Sequence, residues 1–167
     1  GVAVAVRKGD QILIIRRGKE PGYGVWSLPG GSQEFGERLL ETAAREVMEE
    51  TGITVRPVRV LTAIDAMTHD GDGALRYHFT IVEVFAEWVA GAPVAADDAL
   101  DARWATFAEA EELVHWPETK ETVRVVAREP RKQSLATRAA PTGNYFLIPS
   151  ISKTSSTGAF ATTCDMP

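Results

Sequence analysis

The segment Gly31–Ile53, GSQEFGERLLETAAREVMEETGI, guides the interpretation of the whole chain. Its second half has helical periodicity, and we expect a helix that begins near Arg38 or Leu39 and ends at Gly52, because glycine favours the position after a helix. At 3.6 residues per turn, several small and apolar residues share one stripe, which predicts the face turned toward the core. This stripe comprises Leu40, Ala43, Ala44, Val47 and Thr51.

Three carboxylates lie on an adjacent arc of the same helix. Glu46, Glu49 and Glu50 follow the i, i+3, i+4 spacing, so their charges repel one another unless a cation lies between them. Oxygen ligands from carboxylates are those that Mg²⁺ and Mn²⁺ prefer. The pattern therefore predicts a divalent-metal site, with a solvated acidic helix face as the plainer alternative.

The spacing of the fixed residues in this segment resembles the Nudix box at every defining position. The matching residues are Gly31, Glu37, Arg45-Glu46-Val47, Glu49-Glu50 and Gly52-Ile53. The preceding residues, Trp26–Gly31, read WSLPGG and are similar to the lead-in that is usual in this family.

The resemblance implies an α/β fold, the Nudix α/β/α sandwich with a mixed β-sheet between helices, over about residues 1–129. It also implies Mg²⁺-dependent cleavage of a nucleoside diphosphate linked to another group, with Mn²⁺ as the other candidate cation. By position, Glu49 and Glu50 look like the principal metal ligands. Glu46 would be a further ligand or a base, and the Gly31 backbone carbonyl would be the remaining ligand.

The resemblance also assigns supporting residues. Arg45 would hold a glutamate of the box in its ligating orientation, and Glu37 would bond to Arg45 or to metal-bound water. A helix-start acid stabilised by the helix dipole is the alternative interpretation of Glu37.

The general base is less fixed in this family. Asp98, on the loop before Arg103-Trp104, is the preferred candidate over Asp97, and a solvated loop acid is the alternative. Glu83 on a later strand is a second candidate, since its direction depends on strand register. Arg16 and Arg17 are candidate phosphate contacts, with solvated arginine as the plainer interpretation.

The rest of the chain supplies alternating strands and helices. Val2–Arg7 and Gln11–Arg17 predict a hairpin around a Lys-Gly-Asp turn, and Thr54–Ala66 and Leu75–Val89 predict two further strands. Interleaving of this kind is typical of a mixed sheet between helices.

The later part of the chain contains one more strand, two more helices and an irregular end. The strand is predicted at 103–107, in which case Asp101 lies in the loop before it. Helices follow at 108–113 and 118–128, the second with Val123, Val126 and Ala127 facing inward. Residues 130–167, rich in Ser, Thr, Ala and Pro, predict an extension of low regularity, with one candidate strand at Asn144–Ile148.

Composition narrows the function classes. The 167-residue chain has a net charge of −5, which argues against a general nucleic-acid binder, although metal ions would still allow anionic substrates. A single cysteine, Cys164, excludes an internal disulfide. The apolar run Val2–Val6 is too short for a membrane span or a signal peptide, so we expect a cytoplasmic protein without membrane contact. Members of the family are often dimers, which makes a homodimer a candidate assembly.

Several substrate classes stay open at this point. ADP-ribose or a related nucleotide sugar is slightly favoured over a (d)NTP of the MutT type. A Nudix-fold nucleotide sensor without hydrolysis is a second class, disfavoured because all the box glutamates are present. An RNA 5′-end hydrolase would be expected to carry a basic face.

Overall fold

The computed structural model describes residues 1–130. Its strands are β1 (Val2–Lys8), β2 (Gln11–Arg17), β3 (Trp26–Ser27), β4 (Gly30–Gly31), β5 (Thr54–His69), β6 (Leu75–Ala90) and β7 (Ala99–Thr106). Its helices are α1 (Leu39–Thr51), α2 (Phe107–Leu113) and α3 (Pro117–Arg128).

The strands of the described region form one mixed sheet of seven strands. The central order is β3-β2-β1-β6-β5; β4 pairs with β1 and β7 pairs with β2. The β1–β6 pairing is parallel and the other pairings are antiparallel. With helices on both faces, the sheet confirms the predicted α/β fold, a mixed sheet between helices.

The two faces of the sheet bury separate core clusters, as the alternation of β1 requires. Val2, Val4 and Val6 pack with Ala43 and Val47 of α1. Ala5 points the other way into a cluster with residues of α2 and α3, among them Ala110, Val123 and Val126. Of the three described helices, α1, which carries the three glutamates, is therefore the one that packs on the face of Val2, Val4 and Val6.

The boundaries of α1 agree with the sequence prediction, whereas one residue of its predicted core stripe does not. Gly52 has φ 67°, the left-handed conformation that glycine adopts readily, and its N–H donates to the Met48 carbonyl at 2.9 Å. Leu40 is 39% exposed, while Leu39 packs against the core. The predicted stripe was wrong at Leu40 because the sheet covers the helix on the side of Leu39 and Thr42.

Two other expectations need correction. Ala127 is exposed on α3, whereas Val123 and Val126 are buried as predicted. Asp101 belongs to β7, where it pairs with Arg16, so the predicted loop is shorter. The predicted strand Asn144–Ile148 lies outside the described residues, and the domain boundary at 129/130 stays a prediction.

Among the residues that the structure describes, no helix combines the length and the apolar character needed to cross a bilayer.

Candidate active site

The candidate site forms where α1 crosses the short strand β4. The Gly30 N–H donates to Oε2 of Glu50 at 2.8 Å, which fixes that carboxylate against the strand. A Cβ added to Gly31 would lie 2.5 Å from the carboxyl atoms of Glu46. The absence of a side chain at Gly31 therefore makes the space that the Glu46 carboxylate occupies.

Glu46 and Glu50 are both buried, at 8% and 2% exposure. Burial, with a smaller contribution from the charge of Glu46, raises the pKa of Glu50 to about 7. The Gly30 hydrogen bond and the positive charges of Arg17 and Lys19 act in the opposite direction. The site thus holds two close carboxylates in a poorly solvated position, an arrangement that favours a cation.

Arg45 is the hub of the charged network on the outer side of α1. Its guanidinium donates to Glu37 at 2.9 and 3.1 Å, to Glu46 at 3.0 Å and to Glu49 at 2.8 Å. It also donates to the Ser32 carbonyl at 2.9 Å, which ties the loop before α1 to the helix. Arg45 thus contacts two of the three predicted carboxylate ligands, Glu46 and Glu49, an arrangement in keeping with a positioning role.

Glu37, on the loop before α1, accepts hydrogen bonds from the Arg45 guanidinium. Hydrogen bonding to Arg45 lowers the pKa of Glu37 to about 2, so this side chain is an ionised carboxylate at neutral pH. Glu37 also accepts from the Thr42 hydroxyl at 2.8 Å. Glu41, four residues before Arg45, instead accepts from the Arg38 N–H at 3.0 Å and closes the first turn of α1.

The donor set suits a hard divalent cation, although the side chains are not arranged as a complete metal site. Within residues 1–130, no group of three or more acidic, histidine or cysteine side chains is positioned to hold a metal ion as it stands. Glu46 and Glu49 share one nitrogen of Arg45. Each of these carboxylates uses one oxygen for the guanidinium, so its second oxygen would be the one to hold a cation, whereas Glu50 is not bonded to Arg45.

Asp98 lies on a loop that two backbone contacts connect to the site. The Ala96 N–H donates to the carbonyl of Glu50 at 3.0 Å, and the Gly18 N–H donates to the carbonyl of Asp98 at 2.7 Å. The Asp98 carboxylate forms an ion pair with Lys19. Asp97 has φ 50°, a left-handed conformation uncommon for a residue with a side chain.

The other candidate base, Glu83, does not reach this site. It follows the alternation of Phe85 and faces α3, where its carboxylate accepts from the Thr122 hydroxyl. Its exposure is 2%, and burial raises its pKa. The register of β6 therefore places Glu83 on the opposite face of the sheet from Glu46 and Glu50.

Sequence reasoning missed Lys19 and undervalued Arg17. Both carry positive charge close enough to influence the pKa of Glu50, and Arg17 is partly buried, with a pKa lowered by that burial. The loop after β2 brings them there, since Gly18 lies directly against the Asp98 backbone. Two arginines followed by glycine were visible in the sequence, but the direction of the loop was not.

Comparison with known proteins agrees with this geometry. A family model described as NUDIX domain matches residues 1–143, which extends past the boundary predicted at 129. An ADP-ribose pyrophosphatase of Methanocaldococcus jannaschii is 31% identical over 99 residues, covering 59% of this chain and 56% of that protein. An 8-oxo-dGDP phosphatase of Mus musculus is 39% identical over 61 residues, covering 36% of this chain and 19% of that protein.

The alignments thus span between a fifth and just over half of the length of these two curated relatives. Among solved structures, a Nudix hydrolase from Nitrosomonas europaea aligns with a TM-score of 0.61 at 18% identity, over 75% of this chain and 68% of that one. This likeness shows the same fold. Taken with the match of the family model over most of the sequence, it means that the chain belongs to the Nudix hydrolase family.

Proposed function

We propose that this protein hydrolyses the pyrophosphate bond of a nucleoside diphosphate linked to another group, with ADP-ribose or a nucleotide sugar as the preferred substrate. The observation that carries the proposal is the pair of buried carboxylates, Glu46 and Glu50, held against Gly30 and Gly31. A solvated acidic helix face would not bury two carboxylates beside a glycine strand.

Members of the family generally require divalent metal ions. Glu50, Glu46 and Glu49, together with the Gly31 carbonyl, would hold such an ion here, and their oxygens favour Mg²⁺ or Mn²⁺. A divalent ion bound there would neutralise phosphate charge and lower the pKa of a bound water. Arg45 would orient Glu46 and Glu49 through the hydrogen bonds that it already makes.

The remaining side chains supply binding and proton transfer in this proposal. Arg17 and Lys19 lie on the side of Glu50 and would attract the negatively charged diphosphate. Asp98 would take the proton from the attacking water once the substrate draws Lys19 away from it. The ion pair with Lys19 would hold the Asp98 carboxylate in place until then.

The choice of substrate class is supported by the names of the relatives. One relative is named for ADP-ribose and another for 8-oxo-dGDP; both compounds contain a nucleoside diphosphate, which in ADP-ribose is linked to a further sugar. A (d)NTP pyrophosphohydrolase of the MutT type is the alternative, and a nucleotide sensor without hydrolysis is a further one. The full set of glutamates in α1 argues against the sensor.

The proposal extends to the surroundings of the protein. We expect a nucleotide as the small-molecule partner, Mg²⁺ as the cation, a cytoplasmic location, and neither nucleic acid nor membrane as a partner, in line with the net charge of −5. We also propose that residues 1–129 carry the activity. A homodimer is the proposed assembly.

The test is hydrolysis measured across ADP-ribose, nucleotide sugars, dinucleoside polyphosphates and (d)NTPs, with and without Mg²⁺, and with Glu50→Gln as the control. We expect turnover of ADP-ribose or a nucleotide sugar that needs Mg²⁺ and falls by several orders of magnitude in the variant. Turnover of (d)NTPs alone would support the MutT-type alternative. Tight binding of one nucleotide without any turnover would favour the sensor and contradict hydrolysis.

A further inference from the structure

The loop 18–24 follows β2 and lies beside the candidate site. At its start, the Gly18 N–H donates to the Asp98 carbonyl at 2.7 Å. At its end, the Gly24 N–H donates to the carbonyl of Arg17 at 2.8 Å. The loop therefore folds back on Arg17, the last residue of β2.

This loop holds the Arg17 guanidinium without neutralising it. Nε of Arg17 donates to the Pro21 carbonyl at 3.0 Å. Within residues 1–130, no carboxylate forms an ion pair with Arg17, and its two terminal nitrogens make no hydrogen bond. Burial lowers the pKa of Arg17, and the charges of Glu50 and Glu20 oppose that shift. A partly buried cation with unused donors is suited to pairing with a phosphate anion.

The indole ring of Trp116 packs against the same loop. A Cβ added to Gly22 would lie 2.5 and 2.7 Å from two carbons of this ring, so the ring occupies the space that a side chain there would need. Gly22 has φ 84°, a conformation that glycine adopts readily. The guanidinium carbon of Arg17 lies 5.9 Å from the centre of the ring. Trp116 thus contacts the loop and also faces the guanidinium that the loop holds.

The elements around Trp116 fix the position of its ring. Trp116 is the residue before α3, and the Lys120 N–H donates to its carbonyl at 3.0 Å. The N–H of His115 donates to the Trp26 carbonyl in β3 at 3.2 Å, and the His115 ring meets the indole edge-on with 5.4 Å between centroids. The ring is therefore held by α3 and β3, neither of which carries a predicted metal ligand.

We propose that Trp116 is a positioning residue for diphosphate binding, which fixes the loop 18–24 so that the loop directs the Arg17 guanidinium toward the phosphate oxygens. This inference rests on the proposed function and adds a residue outside α1 to it. The planar fork of an arginine binds phosphate oxygens through two parallel hydrogen bonds, and a small shift of the fork breaks that match. Because Nε is bonded to Pro21, the two terminal nitrogens are the pair left to bind the diphosphate.

A purely structural role for Trp116 has a different kinetic signature. Loss of a contact that the substrate makes equally in the ground state and the transition state raises KM and leaves kcat unchanged. Partial unfolding removes active molecules, so it lowers the apparent kcat and leaves KM unchanged. The two roles therefore separate in the kinetic constants.

The first experiment disturbs the contact from the loop. Gly22→Ala places a Cβ where the Trp116 ring lies, whereas Gly73→Ala has a similar φ of 81° and its Cβ meets nothing within 4 Å. The readouts are the Kd for ADP in Mg²⁺ by isothermal titration calorimetry, and kcat and KM for ADP-ribose. Gly22→Ala should raise Kd and KM about tenfold, with kcat within about threefold of wild type. Gly73→Ala should match the wild type in all three.

The second experiment removes the ring itself. Arg17→Gln should raise the Kd for ADP by about 10- to 100-fold, the effect of losing a charged hydrogen-bond donor. Trp116→Ala should raise it about tenfold in the wild type but less than about twofold in the Arg17→Gln protein, because Trp116 acts through Arg17. Trp116→Phe should restore most of the affinity. Phe107→Ala, which removes a partly buried aromatic at the other end of β2, is the control for lost packing and should leave Kd unchanged.

Circular dichroism and thermal melting monitor the folding of each variant, and Gly22→Ala decides the question should Trp116→Ala fail to fold. The proposal is overturned if Trp116→Ala weakens ADP binding equally with and without Arg17, or if Gly73→Ala costs as much affinity as Gly22→Ala. An unchanged Kd in Gly22→Ala, or a wild type that does not bind ADP at about 1 mM, overturns it as well. A wild type that binds ADP but does not hydrolyse ADP-ribose contradicts the proposed hydrolysis alone, and the Kd values still test the role of Trp116.

Discussion

The geometry at Gly31 allows a quantitative test of the Glu46 position. In Gly31→Ala, the new Cβ would lie 2.5 Å from both oxygens and the carboxyl carbon of Glu46, whereas unstrained contacts are about an ångström longer. Because a carboxyl group is the free end of a flexible side chain, it can swing aside, and the fold should survive. The backbone carbonyl of residue 31 stays in place, so the substitution perturbs the Glu46 carboxylate selectively.

A displacement of about 1 Å in catalytic machinery can reduce the rate ~10²-fold, which corresponds to about 2.7 kcal/mol of lost transition-state stabilisation. We therefore expect kcat/KM for ADP-ribose hydrolysis in Mg²⁺ to fall by about that factor, with a small change in Tm. Gly71→Ala is the matched control, because a Cβ there meets nothing within 4 Å. Wild-type kcat/KM in Gly31→Ala would refute the importance of the Glu46 position.

Four further outcomes follow from the structure. The raised pKa of Glu50, about 7, means that its contribution to stability is fully present below pH 4.5 and is lost as the pH rises through 7. At pH 8 in EDTA, the free energy of unfolding of Glu50→Gln, measured with urea, should therefore exceed that of the wild type by up to about 3 kcal/mol. At pH 4 the two free energies should be equal. Asp98→Asn should lower kcat by ~10² to 10⁴-fold, the range for loss of a general base; an unchanged kcat would place the base elsewhere. Glu83→Gln, on the opposite face, should keep kcat/KM within about twofold of wild type, and a large loss would return Glu83 to the list of candidate bases. Removal of residues 131–167, which leaves the Glu129 and Pro130 carbonyls that bind Arg7, should preserve hydrolysis; an unfolded product in circular dichroism would contradict this.

The sequence was sufficient for the parts of the site that depend on local geometry. Helical periodicity places Glu46 and Glu50 four residues apart on one face, and Gly52 ends the helix wherever the helix packs. The strand pattern likewise predicted two strands at Thr54–Ala66 and Leu75–Val89, which the structure shows as β5 and β6. These features depend on residues close together in the chain, so they could be derived without knowledge of the tertiary structure.

Features that depend on long-range packing could not be derived in this way. The direction of Glu83 depends on the parallel register of β1 and β6, in which Ala3 lies opposite Glu83. The approach of Lys19 to Asp98 depends on two loops that lie about 80 residues apart and meet only through the sheet. Leu40 failed as a core residue for the same reason, because the sheet determines which side of an amphipathic helix is covered.

The buried carboxylates of the candidate site lower the stability of the folded chain. A charged Glu50 beside Glu46 destabilises the folded chain at neutral pH, and the Gly30 hydrogen bond with the charges of Arg17 and Lys19 offsets only part of that effect. Arg45 compensates Glu46 and Glu49 from the outside but does not contact Glu50. The carboxylate that a divalent cation would stabilise most is therefore the one that the protein itself leaves least compensated, which is the arrangement expected of a principal metal ligand.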